Sequence, residues 1–294
     1  MENAKAILEE CRLCPRHCGV NRLAGESGKC RVSEEAVIST YGPHFGEEAP
    51  LVGQYGSGTI FFTYCNLRFV FCQNYTISQM GEGSPVTRDV LAQMMLALQS
   101  RGCHNINLVS PTHVVPCILD ALELAASKGL QLPLVYNSGG YDSLETLELL
   151  DGIVDIYMPD IKYSDEKTAE ELSGVQNYPA VNRAAIKEMH RQVGDLRIDE
   201  QGVAYRGLLI RHLVLPNRLA GTEETVRFLA REVSTNTYLN IIAQYHPCYQ
   251  AFDIVKIARP VNRQEFQEAI DLTSQQGLRR LDRHASPLPF RSIV

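Results

Sequence analysis

From residue 56 onward, short apolar runs alternate with longer stretches whose apolar positions recur every three or four residues. Residues 60–63 (Ile-Phe-Phe-Thr) have the β-rich character of a strand, and residues 89–100 carry apolar side chains at 90, 91, 94, 95 and 98. That stripe predicts a helix, stopped by Gly102. The pattern continues with strands predicted at 106–109, 133–136, 153–158, 208–215 and 238–243. Helices are predicted at 114–128, 143–150, 182–193, 222–233 and 263–276, with a less regular one near 165–172. Residues 196–205 read as a small hairpin, because 199–202 are turn formers. About six strand–helix units in succession imply an α/β fold built on a parallel sheet with right-handed crossovers. Six units fall short of the eight of a closed barrel, so a partial (β/α)6 TIM-like barrel is expected, with a doubly wound sheet as the second choice.

Residues 1–50 follow no such pattern. They hold Cys11, Cys14, Cys18 and Cys30 among turn formers such as Gly19, Gly25, Gly28, Gly42 and Pro43. So small a segment with few apolar positions needs a cross-link to fold. The expected division is a Cys-rich metal-binding module at 1–50 and an α/β core at 51–294. Four thiolates within twenty residues suit either zinc or an iron–sulfur cluster, and the spacing does not choose between them. His17 is an alternative ligand in the same segment.

Composition narrows the function. A net charge of −6 over 294 residues, without a clustered basic face, argues against a nucleic-acid partner. The acidic N-terminus does not read as a signal peptide, and no run approaches the roughly 18 apolar residues of a membrane span. A cytoplasmic location without a membrane partner is expected, where nine cysteines serve metal or redox chemistry sooner than a disulfide framework.

In parallel α/β sheets, ligands gather at the carboxyl ends of the strands. Polar clusters fall there throughout. Cys65–Cys72 follows the first strand of the core, Ser110–His113 the second, Asn137–Gly140 the third and Asp160–Lys162 the fourth. Arg211 and His212 belong to the fifth, and Gln244–His246 follows the sixth. Asp160 and Lys162 share a face by the period of two in a strand. They read equally as a salt-bridged interior or as a pair that positions a charged ligand. Cys103 and Cys117 read as core thiols, whereas Cys248 is a spare thiol at the ligand-bearing edge.

These blocks together resemble the radical S-adenosylmethionine (SAM) superfamily, and more narrowly the uncharacterised iron–sulfur proteins related to pyruvate formate-lyase activating enzyme. The resemblance runs through C-x2-C-P-R-x-C-G-V-N-R at 11–22, C-N-L-R-x-V-F-C-Q-N-Y-x-I-S at 65–78, N-I-N-L-V-x-P-T-H at 105–113, D-I-Y-M-P-D-I-K-Y at 155–163 and L-I-R-H-L-V-L-P at 209–216. It implies a [4Fe–4S] cluster on three cysteines of the first loop, Cys65 and Cys72 among them. SAM is bound at the open iron and cleaved reductively to a 5′-deoxyadenosyl radical. It also implies SAM contacts at Asn66, Ser110, Thr112, His113, Asn137 and Ser138, with Asp160 and Lys162 as the catalytic D-x-K. A reductant such as flavodoxin or ferredoxin and a glycyl-radical protein substrate would be the partners. The module of Cys11, Cys14, Cys18 and Cys30 is not part of the minimal activating enzyme, so the resemblance does not choose between a second iron–sulfur cluster and zinc there.

One residue departs from the family pattern. The middle cysteine of C-x3-C-x-aromatic-C is Phe69 here. A single-base change links Cys and Phe codons, so an otherwise intact enzyme with one altered position is the leading expectation. The alternatives are Cys248 as a replacement ligand, or an inert barrel kept for binding or electron transfer.

Overall fold

The apolar runs of the core assemble into one sheet in a computed structural model that describes residues 6–282. Its strands are β1 (Ala36–His44), β2 (Ser57–Phe62), β3 (Ser84–Val86), β4 (Ile106–Val109), β5 (Leu134–Ser138), β6 (Ile156–Ile161), β7 (Arg197–Ile198), β8 (Ala204–Leu213), β9 (Tyr238–Ile242) and β10 (Arg280–Leu281). The spatial order is β10-β9-β8-β6-β5-β4-β2-β1-β3. From β2 to β10 every neighbouring pair is parallel. β1 adds to β2 antiparallel, and β3 to β1. β7 forms the expected hairpin with β8. Among the described residues the outermost strands, β3 and β10, do not pair, so the sheet is an unclosed, partial TIM-like barrel.

The sheet extends beyond the six units expected from the apolar pattern. β1 escaped the reading because Gly42 and Pro43 look like turn formers, yet both continue the ladder, opposite Thr59 and Gly58. β1 lies within residues 1–50 and belongs to the sheet. The fourth core strand also sits three residues later than the apolar run suggests, at Ile156–Ile161 and not 153–158. Ile153 is 39% exposed and belongs to the turn around Gly152, whose φ is 77°. The shift draws Asp160 into the strand itself. The helix expected from 182 begins at Tyr178, with Pro179 in its first turn where a missing N–H costs nothing.

Alternation sorts the strand side chains into two sets. Tyr136, Tyr157, Ile161 and Ile210 join the core beneath the helices. Val135, Ile156, Met158 and Leu209 point into the barrel, where they pack with fully buried Leu51. Leu51 rides on the short helix Ala49–Val52. That helix is pinned at the amino ends of the strands: Asn105 Nδ2 donates to the Leu51 carbonyl at 2.9 Å, and the Ala49 amide donates to Asp282 Oδ2 at 3.2 Å. It forms a floor under the barrel.

Candidate cofactor site at the carboxyl edge of the barrel

The loop after β2 carries Cys65 and Cys72. The Leu67 amide donates to Cys65 Sγ at 3.4 Å, and Cys72 Sγ lies 3.1 Å from Ser78 Oγ. Burial pushes the Cys65 thiol up to about 12, against the Leu67 amide and the Ser110 side chain, which favour the thiolate. Burial also raises Cys72, opposed by Ser78. Position 69 contributes a half-buried ring whose centroid lies 5.4 Å from that of Phe71 and 6.3 Å from that of Tyr163. Cys248 donates from Sγ to the Phe71 carbonyl at 3.0 Å, on the Cys72 side of the loop.

A cluster on three protein cysteines does not fit this donor set. Two thiols and a phenyl ring occupy the three motif positions. Among the described residues no three Cys, His, Asp or Glu side chains stand together as a group that could hold a single metal ion.

Inside the barrel, β6 and β8 place Asp160 opposite Arg211. Arg211 Nε donates to Asp160 Oδ1 at 3.0 Å and Nη2 to Asn137 Oδ1 at 2.6 Å, while Glu47 stands 4.0 Å from Nη1. Lys162 Nζ lies 3.2 Å from Asp160 Oδ2. Burial pushes the Asp160 carboxyl up, but Arg211 and Lys162 outweigh it and hold the group below the ordinary carboxylate range. Two cations thus converge on one carboxylate, with Glu47 close by. Glu48, below them, accepts from Asn240 Nδ2 at 2.9 Å through Oε1, while its buried Oε2 has no partner, and burial raises its carboxyl. Sequence reasoning missed Glu47 and Glu48, since they lie between β1 and the floor helix, outside any strand end.

The remaining expected site residues divide into three groups. Ser110 turns the chain after β4 with φ 57°, and its amide donates to the Asn137 carbonyl at 2.9 Å. Thr112 and Ser138 donate to a single buried carboxylate, that of Asp142, at 2.6 and 2.7 Å, and Tyr136 OH joins them at 2.9 Å. Burial raises Asp142, and the three hydroxyls oppose the rise. No spacing signal pointed to Asp142, because its partners come from two different strand ends. Asn66 and His113 lie elsewhere. They line a small cavity together with Cys11, Cys14, Cys18 and Cys30. Exposed His17 is not among its lining residues. Asn66 Nδ2 donates to the Tyr141 carbonyl at 2.7 Å, and the fully buried His113 ring meets the Thr63 carbonyl at 2.9 Å.

The edge is built to tight tolerance where β5 ends. A Cβ on Gly140, whose φ is 72°, would meet Asn182 Nδ2 at 2.1 Å and the Asp160 carbonyl at 2.3 Å. A Cβ on Gly139 would meet Leu67 at 2.3 Å. Only glycine lets β5 turn this close to the cysteine loop and to β6.

No protein-family model matches the chain. Over 287 residues it is 33% identical to an uncharacterised protein of Methanocaldococcus jannaschii, MJ0674, covering 95% of this chain and 78% of that one. A second uncharacterised protein of that organism, MJ0808, is 23% identical over 288 residues, covering 92% and 79%. A radical SAM methyltransferase from Sphaerobacter thermophilus superposes with a TM-score of 0.52 at 15% identity, over 78% of this chain and 67% of that one. Streptococcus suis SuiB bound to S-adenosylmethionine gives 0.51 at 15% identity, over 75% and 47%. The chain belongs to one family with MJ0674, and its fold is that of the radical SAM superfamily.

Proposed function

We propose that this protein binds SAM at the carboxyl edge of its barrel and is a radical SAM enzyme in every part but one. The observation that carries the reading is the intact surround of the cysteine loop. Cys65 and Cys72 keep their hydrogen bonds, Gly139 and Gly140 keep the close approach of β5, and Asp160, Lys162 and Arg211 form a charged floor beneath them. A charged ligand with an amino and a carboxylate group suits an interior that presents both signs of charge. The phenyl ring of Phe69 supplies no ligand, so we assign SAM binding to this chain and reductive cleavage of SAM to its Phe69→Cys form. Activation of a glycyl-radical protein is the reaction class that the D-x-K pair suggests.

The test compares this chain with Phe69→Cys and Phe69→Ala after anaerobic reconstitution. SAM binding by calorimetry is expected in all three, and 5′-deoxyadenosine only in the cysteine form. Absence of SAM binding in all three overturns the reading in favour of an inert barrel. That second reading draws its support from Phe69 itself, and it predicts no turnover even after the cysteine is restored.

A further inference from the structure

The four N-terminal cysteines come from three turns of chain. Cys11 and Gly19 bracket the first, the Cys11 amide donating to Val20 O at 2.9 Å and the Gly19 amide to Cys11 O at 3.1 Å. Cys14 and His17 make the second, and Gly28–Arg31 the third, at 3.0 Å each. All four thiols line one cavity. Gly28 keeps that cavity open, since a Cβ there would stand 2.8 Å from Cys18 Sγ. The Lys29 amide points at the same sulfur from 3.5 Å.

Two arginines line the cavity as well, each anchored by two of its donors with the third left over. Arg22 is 1% exposed. Its Nε donates to Ser33 O at 2.7 Å and its Nη1 to His113 O at 2.8 Å, while Nη2 is buried without a partner. Arg16 donates from Nε to Asn66 O at 2.6 Å and from Nη1 to Gly174 O at 3.1 Å, and its Nη2 is likewise buried and unpartnered. A buried guanidinium nitrogen without an acceptor is costly. Two of them around one cavity call for an anionic occupant with acceptor atoms of its own. Neutral thiols do not meet that need.

A single zinc ion would draw four sulfurs to about 2.3 Å from itself, and among the described residues no three cysteines form such a group. A polynuclear cluster holds its cysteines further apart and brings inorganic sulfides that accept N–H bonds.

We propose that Cys11, Cys14, Cys18 and Cys30 hold an iron–sulfur cluster, with Arg16 and Arg22 donating to its sulfurs. Among the described residues this is the one place that offers such a cluster a full set of four thiolates, and it does not depend on SAM binding in the barrel. Its seat is the cysteine loop, because Arg16 grips the carbonyl of Asn66, the residue after Cys65.

The deciding experiment uses the full chain with Cys65→Ser and Cys72→Ser combined, produced anaerobically. Iron, acid-labile sulfide and zinc are measured with the visible spectrum. Iron and sulfide at about four each per chain, with absorption near that of other iron–sulfur proteins, are expected to survive the double change. Adding Cys14→Ser should remove most of both. Arg22→Met should keep the thiolates but hasten bleaching of the visible band in air several-fold. Stoichiometric zinc without sulfide overturns the proposal, as does loss of iron in the double variant alone. If Cys14→Ser fails to fold, the metal and sulfide content of the double variant still decides.

Discussion

The ammonium of Lys162 lies 5.9 Å from the centre of the Phe69 ring while it pairs with Asp160 at 3.2 Å. The side chain at the altered motif position therefore touches the charged pair beneath it. A cation above an aromatic face is worth about 0.5–1 kcal/mol at a partly open site. Phe69 also packs on Phe71 and Tyr163. In the absence of metal, Phe69→Cys and Phe69→Ala should each lower stability by about 1–2 kcal/mol, which is less than the cost at a fully buried phenylalanine. Thermal melts of the metal-free proteins would register this as a drop of a few degrees. Unchanged melting points would mean that the ring is a passive filler.

Arg211 is expected to be the least replaceable member of the interior charge group. Arg211→Met takes donors from both Asp160 and Asn137 and leaves Asp160 with Lys162 alone. Breaking a buried pair from one side costs about 3–5 kcal/mol. Arg211→Lys should recover less than half, since a lysine cannot fork to both oxygens. Urea unfolding of the two variants measures this. A loss below about 1 kcal/mol for the methionine variant would show that the pair is dispensable.

Asp142 gathers three hydroxyls from the ends of β4 and β5. Asp142→Ala should cost about 3 kcal/mol or more, because each orphaned donor bears its own desolvation penalty. Thr112→Val or Ser138→Ala, which remove one donor each, should cost about 1 kcal/mol apiece. The comparison by urea unfolding is decisive in its ratio. Equal losses for all three variants would mean that the carboxylate does not act as the hub.

Acid should weaken the fold through its histidines. His113 and His212 are fully buried, and burial lowers both to about 4. The unfolded chain, with ordinary histidines, binds more protons than the folded one between about pH 6.5 and pH 4. Stability from these two groups is thus present above about 6.5 and lost as pH falls through that window. Each contributes a slope of about 1.4 kcal/mol per pH unit at its steepest. The raised carboxyls of Glu48 and Asp142 work in the opposite sense, so the diagnostic is a difference. His212→Gln, able to pair with Ile161 O and Thr222 Oγ1 in place of the ring, should flatten the pH dependence of unfolding in this range. A slope identical to that of the parent would refute the assignment.

The parallel core was legible because its strands are short apolar runs separated by amphipathic helices, a pattern local enough to see in sequence. β1 was not, since its Gly42 and Pro43 owe their place to pairing with β2 across some fifteen residues. The same division holds for the site. Cys65, Cys72, Asp160 and Lys162 stand at strand ends and could be found by position. Asp142, Glu47 and Glu48 acquire their roles only through partners on other elements. Thr112 and Ser138 illustrate the converse: their position at the carboxyl edge was readable, but their commitment to Asp142 was not.

Among the described residues, the helix carrying Leu51 plugs the amino end of the barrel. With that side chain wedged among Val135, Ile156, Met158 and Leu209, nothing passes through from below. The charged group of Asp160, Lys162 and Arg211 is therefore backed by an apolar plug on one side and faces the cysteine loop and Phe69 on the other.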